Sequence, residues 1–169
     1  MLFRSDTFTG FINVIGSSTS DSIIGDSGNN SISAGIGADT VEGGLGSNTL
    51  DGGDGVDVLT YQSANSAITI NLWLSSASGT GISDSITSFE NVIGSSTNDS
   101  IIGDAGNNSI SAGIGSDTVE GGLGSNTLDG GDGVDVLTYQ SANSAITINL
   151  GLHIVTGKQI GRASCRERV

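Results

Sequence analysis

The sequence predicts an all-β solenoid, and the first observation behind this prediction is a nine-residue period. From Gly16 to Thr60 the chain reads GSSTSDSII, GDSGNNSIS, AGIGADTVE, GGLGSNTLD and GGDGVDVLT. A fixed short period is the signature of coils that stack on one another. Each nine-residue unit is therefore one structural repeat, and equivalent positions can be compared between units.

Two positions of the repeat carry the second and third observations. The eighth position is always aliphatic, which suits a side chain that points into a narrow core. The sixth position alternates between a carboxylate and an amide, so the two sides of the solenoid differ chemically. The residues of the eighth position are Ile23, Ile32, Val41, Leu50 and Leu59, and those of the sixth are Asp21, Asn30, Asp39, Asn48 and Asp57.

A longer repeat of 78 residues lies over the short one, since Ser5–Leu72 matches Ser83–Leu150 with seven mismatches. The second block therefore repeats both columns. We divide the chain into a first block with its connecting strands (5–78) and a second block (79–158). The second block has Asp99, Asn108, Asp117, Asn126 and Asp135 at the sixth position and Ile101, Ile110, Val119, Leu128 and Leu137 at the eighth.

Within each unit, six loop-like residues precede three strand-like ones, such as Thr40-Val41-Glu42. Two units would complete one coil, so alternate loops would stack on opposite edges. We expect the Asp loops of both blocks to share one edge and the Asn loops to share the other. Glu42 and Glu120 are expected to point outward, while Asp51, Asp54, Asp129 and Asp132 are interpreted as solvated charges beside the turns.

The connector between the arrays is less regular. Tyr61–Trp73 is predicted to form one or two strands with Ile68, Ile70 and Leu72 on one face, and Trp73 to cover an end of the first array. GTGISDSIT at 79–87 is interpreted as a degenerate unit with Asp84 at its sixth position. Asp6 is its counterpart near the start.

Amino-acid composition limits the classes of partner that the chain is expected to bind. The chain has 28 glycines, no proline and a formal net charge of −13, which argues against nucleic acids and anionic membranes as partners. No stretch is apolar for long enough to span a membrane. Stacked Asp loops would repel each other unless cations lay between them. The alternative is that the acidic residues only keep the protein soluble, but solubility does not require Asp at one fixed position of the repeat.

GGDGVDVLT at 52–60 and 130–138, together with AGIGADTVE, resembles the G-G-x-G-x-D-x-U-x nonapeptide of repeats-in-toxin (RTX) proteins of the haemolysin type. That resemblance implies a right-handed parallel β-roll with Ca²⁺ between stacked loops. Oxygen ligands of this kind suit Ca²⁺. The implied ligands are Asp21, Asp39, Asp57, Asp99, Asp117 and Asp135, with Asp6, Asp84 and the loop glycines Gly35, Gly37, Gly53, Gly55, Gly113, Gly115, Gly131 and Gly133 as further candidates.

The chain departs from this pattern at two kinds of position. The first unit has Ser17, Ser18 and Thr19 where glycines are typical, and alternate units have Asn at the sixth position. We hypothesise calcium on the Asp edge only, with a neutral ladder of stacked amides on the other edge. The alternative is a weaker ion there, held by backbone carbonyls alone. The ladder residues would be Asn30, Asn48, Asn108 and Asn126.

The last stretch, 159–169, differs from everything before it in composition, and it holds the only cysteine, Cys165. Back-translation of 160–169 resembles a sequencing adapter. We therefore interpret 159–169 as an artefact of cloning or assembly.

No catalytic group can be assembled, since the single histidine, His153, follows the last repeat and no partner for it is evident. We expect no enzymatic activity in this chain. The predicted function is that of an extracellular module that binds calcium ions and folds on them, within a larger secreted protein of the type I secretion class, beside further repeats or an effector domain. The alternative is a calcium-independent structural or adhesive spacer.

Overall fold

The computed structural model describes residues 9–151, 154–157 and 164–166. In this part of the chain the ordered elements are short strands, and no helix occurs. In chain order the strands are β1 (Asn13–Ile15), β2 (Ser22–Ile24), β3 (Ser31–Ser33), β4 (Ile36–Gly37), β5 (Thr40–Glu42), β6 (Thr49–Asp51), β7 (Asp54–Gly55), β8 (Val58–Thr60), β9 (Ile68–Asn71), β10 (Ser76–Gly79), β11 (Ile82–Thr87), β12 (Asn91–Ile93), β13 (Ser100–Ile102), β14 (Ser109–Ser111), β15 (Ile114–Gly115), β16 (Thr118–Glu120), β17 (Thr127–Asp129), β18 (Asp132–Gly133), β19 (Val136–Leu137), β20 (Ile146–Asn149), β21 (Ile154–Gly157) and β22 (Ser164–Arg166).

The strands form two nine-stranded sheets. Sheet 1 has the order β1-β3-β6-β11-β10-β9-β13-β16-β19, and sheet 2 has the order β2-β5-β8-β12-β14-β17-β22-β21-β20. Consecutive nonapeptides alternate between the sheets, so each coil consists of two units. The fold class predicted from the nine-residue period, an all-β parallel solenoid, is confirmed.

Neighbouring strands of the arrays pair in parallel with a shift of 18 residues, as in Ile32 with Leu50 and Val41 with Leu59. This register stacks the eighth position of every second unit. Because successive side chains of a strand point to opposite faces, the aliphatic side chain faces inward and its neighbours face outward. Val41, Leu50 and Leu59 are completely buried, and one narrow core runs through both blocks.

The connector adds strands to sheet 1 alone. From β8 in sheet 2 the chain enters sheet 1 at β9, turns back through antiparallel β10, and returns in β11 to pair in parallel with β6. β12 then joins β8 directly in sheet 2. Residues 79–87 thus form mainly a strand, with Ile82, Asp84 and Ile86 on its buried face. Trp73 does not cover an end of the array, since it lies 59% exposed in the turn between β9 and β10.

This connector exchanges the two edges of the solenoid. We call the edge whose loops run from sheet 1 to sheet 2 the first edge, and the opposite one the second edge. Between the equivalent segments Asn13–Ile15 and Asn91–Ile93 the chain crosses between the sheets seven times, an odd number. Equivalent loops therefore lie on opposite edges. The expectation that the Asp loops of both blocks share an edge is wrong, because the connector contributes a single crossing on each side of its three strands.

The second block ends in the same arrangement. β20 and β21 pair as an antiparallel hairpin, and β22 pairs in parallel with β17. β22 lies within 159–169, so this backbone pairing includes part of the stretch that we interpret as an artefact. The origin of that stretch stays a prediction. Among the described residues, no helix is long and apolar enough to cross a membrane.

Candidate metal sites on the two edges

The sixth position of the repeat forms a hydrogen-bonded ladder along each edge. On the first edge the Asp21 N–H donates to Asp39 Oδ1 at 2.7 Å, and the Asp39 N–H donates to Asp57 Oδ1 at 2.7 Å. On the second edge the Asn30 N–H donates to Asn48 Oδ1 at 2.9 Å. Each side chain thus reaches back to the backbone of the coil before it.

The second block repeats the ladders with the edges exchanged. Asp99 and Asp117 donate their N–H groups to Asp117 and Asp135 at 2.7 and 2.9 Å, on the second edge. On the first edge the Asn108 N–H donates to Asn126 Oδ1 at 2.8 Å. Asp and Asn make the same bond, so this ladder is not what distinguishes the Asp loops from the Asn loops.

The second carboxylate oxygen makes the difference. Oδ2 of Asp39, Asp57 and Asp117 is buried and has no hydrogen-bond partner. Buried polar atoms are normally paired, and an unpaired carboxylate oxygen is costly. Burial raises the pKa of Asp57 and of Asp117, with the neighbouring Asp residues adding to the rise. Anionic oxygens without hydrogen-bond partners suit a hard cation such as Ca²⁺, so the residues present fit such an ion.

The Asp residues of the first unit in each block are different. Asp21 Oδ2 accepts the Ser17 N–H at 2.6 Å and its Oδ1 accepts the Ser17 hydroxyl at 3.1 Å. Asp99 has the same two bonds from Ser95. Serine replaces glycine in these loops and satisfies the carboxylate within its own loop. Among the six implied ligands, Asp39, Asp57, Asp117 and the half-buried Asp135 therefore remain the more available ones.

The chain offers these carboxylates no cation of its own. No lysine or arginine occurs between Arg4 and Lys158, whereas all acidic residues except Glu167 do. Among the described residues, no three His, Cys, Asp or Glu side chains converge to hold a metal. An ion between the coils would therefore take at most a pair of carboxylates and complete its shell with backbone carbonyls or water.

The glycine-rich turns make such close stacking possible. Gly53 has φ +93°, and a Cβ there would overlap the carbonyl of Gly35 in the preceding coil. In the Asp loops the stacked turns also pair as short two-stranded sheets, β4 with β7 and β15 with β18. All eight candidate glycines have positive φ and lie in these turns: Gly35, Gly37, Gly53, Gly55, Gly113, Gly115, Gly131 and Gly133.

Asp84 continues the second-edge ladder from within strand β11. Its Oδ1 accepts the backbone and side-chain N–H groups of Asn48 at 2.9 and 2.8 Å, and its Oδ2 accepts the Tyr61 hydroxyl at 2.7 Å. Burial raises the Asp84 pKa, and burial and Asp84 together hold the Tyr61 pKa far above its usual value. Both oxygens of Asp84 are thus used in structural bonds. Asp6 lies outside the described residues.

Sequence reasoning missed several polar contacts. Glu42 and Glu120 lie on the outer faces of their strands, but the connectors cover them: they are only 7% and 6% exposed and accept bonds from Ser63 and Ser141. The fifth position forms a second ladder, with Asn29 accepting from Ser47, Asn107 from Ser125 and Asn98 from Ser116. The recurrence of Asn at the fifth position was the available signal.

Comparison with known proteins finds a family model that matches the repeats. The sequence model described as "RTX calcium-binding nonapeptide repeat (4 copies)" matches residues 15–50, 34–65, 93–128 and 111–143, which together cover more than half of the chain. The chain belongs to this RTX repeat family. No curated protein matches it significantly.

The solved structures that match this RTX chain include the crystal structure of the extracellular lipase LipA from Serratia marcescens, with 16% sequence identity and a TM-score of 0.37. The alignment covers 95% of the RTX chain and 38% of the lipase chain.

Proposed function

We propose that this chain is a calcium-binding RTX module of a secreted protein and that it folds when it meets extracellular calcium. The observation that carries the proposal is the set of buried Oδ2 atoms without partners at Asp39, Asp57 and Asp117. These atoms recur at the sixth position of the family motif, and the chain between Arg4 and Lys158 has no cationic side chain that could neutralise them.

The proposed folding on calcium depends on whether the free energy of calcium binding is large enough to stabilise the folded chain. Extracellular modules bind Ca²⁺ with dissociation constants of about 10⁻⁴–10⁻³ M. At about 1 mM calcium each site then stabilises the folded chain by roughly 0.4–1.4 kcal/mol. Several coupled sites can therefore decide whether a domain with a narrow core is folded, since the ligands come together only in the folded state.

Circular dichroism of the full chain tests this function. The protein is first treated with a chelator and then titrated with calcium, with magnesium as the control ion. We expect a cooperative gain of β-structure at high-micromolar to millimolar calcium and none with magnesium, which resists a cage of this kind. Complete β-structure in the chelator would contradict the proposal.

A calcium-independent spacer is the second candidate. The ladder bonds between Asn30 and Asn48 and between Asn108 and Asn126 need no metal and support it. The same titration separates the two candidates, because a spacer would give one spectrum and one melting temperature with and without calcium.

A further inference from the structure

We propose an additional divalent-cation site between Asp57 and Glu90, where the first block joins the connector. Glu90 is not part of any nonapeptide and lies outside every segment that matches the family model. The proposal extends the proposed function, because it assumes that paired carboxylates on an edge of this chain bind cations.

The first argument is that residues 87–91 stack on the last loop of the first block as a further coil. The Gly52 N–H donates to the Thr87 carbonyl at 3.1 Å, and the Asn91 N–H donates to the Asp57 carbonyl at 2.9 Å. Equivalent bonds join regular coils, such as those from Gly16 to Ser33 and from Val58 to Asp39. The segment therefore occupies a coil position although its loop is three residues shorter.

The second argument is that Glu90 takes the place of the next sixth-position Asp. The Asp57 N–H donates to Glu90 Oε2 at 2.9 Å, as the Asp39 N–H donates to Asp57 Oδ1. Glutamate has one methylene group more than aspartate, which lets its carboxylate reach the ladder from the shortened loop. Glu90 thus ends the row of carboxylates on the first edge, before Asn108 and Asn126.

The third argument is the position of the unpaired oxygen of Asp57. Asp57 is completely buried, and its Oδ2 has no hydrogen-bond partner. A Cβ added to Gly52 would come within 2.9 Å of this Oδ2 and would also overlap the carbonyl oxygen of Ser88. Both oxygens therefore lie beside Gly52, and Ser88 belongs to the same coil as Glu90.

Together these groups supply a pair of carboxylates and a backbone carbonyl, a set of hard oxygen ligands suited to Ca²⁺. The duplicate positions differ: the residue 78 positions before Glu90 is Ile12, and the residue 78 positions after it is Arg168. Arg168 lies outside the described residues. The site would thus distinguish this junction from the nonapeptide sites that both blocks share.

Native mass spectrometry of the full chain at saturating calcium provides the test. Glu90→Gln keeps the size of the side chain and removes its charge, and we expect this variant to bind one ion fewer than the wild type. Asp132→Asn is the matched control, because Asp132 is exposed and its carboxylate accepts no hydrogen bond among the described residues. We expect the control to bind the wild-type number of ions.

The outcomes separate the two proposals. A wild type that binds calcium and a Glu90→Gln variant that binds the same number of ions would overturn the Asp57–Glu90 site alone. A wild type that binds no calcium would overturn the proposed function as well. If Glu90→Gln fails to fold, terbium-soaked wild-type crystals decide, because anomalous scattering must then give a peak between Asp57 and Glu90. Peaks beside Asp39 without one there would refute the site.

Discussion

At the scale of single residues, the sixth position separates two roles that one carboxylate can have. One oxygen accepts the backbone N–H of the preceding coil, and an amide does this equally well, as Asn48 and Asn126 do. The other oxygen has no such bond in Asp39, Asp57 and Asp117. The alternation of Asp and Asn therefore leaves the ladder intact and changes only the charge that a cation can meet.

Tyr61 is the donor that satisfies one oxygen of buried Asp84. Removing the hydroxyl with Tyr61→Phe leaves this oxygen without a partner, and we expect a loss of about 1–3 kcal/mol of unfolding free energy. Urea unfolding at saturating calcium measures it. In a double-mutant cycle with Asp84→Asn the two effects should couple, and strictly additive effects would show that the bond contributes nothing.

Gly53 illustrates the steric requirement of stacked turns. Gly53→Ala would place a Cβ on the Gly35 carbonyl at φ +93°, and we expect a loss of about 2–4 kcal/mol. Gly28→Ala is the control, because the nearest atom to its Cβ would be Asp26 Oδ1 at 3.1 Å, at the end of a side chain. The control should stay within about 1 kcal/mol of the wild type. Equal losses in urea unfolding would contradict this account of the turns.

At the scale of elements, the three-stranded connector decides which edge each loop occupies. β9, β10 and β11 all belong to sheet 1, so the connector adds three strands with only one crossing before β9 and one after β11. The 78-residue repeat then corresponds to an odd number of crossings, and equivalent loops alternate between the edges. The carboxylates of the first block consequently stack in one column with the amides of the second block.

The exchange of edges predicts the positions of bound ions. In terbium-soaked crystals we expect anomalous peaks near Asp39 and Asp57 on the first edge and near Asp117 and Asp135 on the second. The columns of Asn30 with Asn48 and of Asn108 with Asn126 serve as internal controls, since their amides lack the second anionic oxygen. Peaks of both blocks on one edge, or equal occupancy beside the Asn columns, would contradict the arrangement.

At the scale of the whole molecule, charge opposes folding unless cations are bound. The formal net charge is −13, and the carboxylates of Asp57, Asp84 and Asp117 are buried with raised pKa values. A carboxyl group whose pKa is higher in the folded than in the unfolded state binds more protons when folded. The unfolding free energy of the calcium-free chain therefore decreases as the pH rises above about 3.8.

We accordingly expect the melting temperature in chelator to fall between about pH 4 and pH 7. The lowered pKa of Asp26 makes the unfolding free energy rise with pH instead, but this effect falls below that pH range. Saturating calcium should reverse the trend, since its ligands must be deprotonated. Circular dichroism melts at several pH values measure both. The Asp57→Asn, Asp117→Asn double variant should show a flatter profile in chelator, and a wild-type melting temperature that rises with pH there would refute the reasoning.

The repeat was predictable because its signals are local and periodic. The aliphatic eighth position, the glycines of the turns and the recurring carboxylates each follow from one side chain meeting its equivalent in the next coil. The burial of Glu42 was not predictable, because strand alternation is local and places Glu42 only on the outer face, whereas the loop that covers it through Ser63 belongs to the connector.

By itself, the sequence determined the solenoid, its core column and the oxygen-rich character of its edges, since a nine-residue period constrains every coil alike. Only the tertiary structure decided which edge each block presents, that Asp84 is satisfied by Tyr61 and Asn48, and that Glu90 follows Asp57 in the carboxylate column. These depend on how often the connector crosses between the sheets and on contacts between residues 23–36 positions apart. No periodic signal encodes them, because the connector occurs between the arrays and not within them.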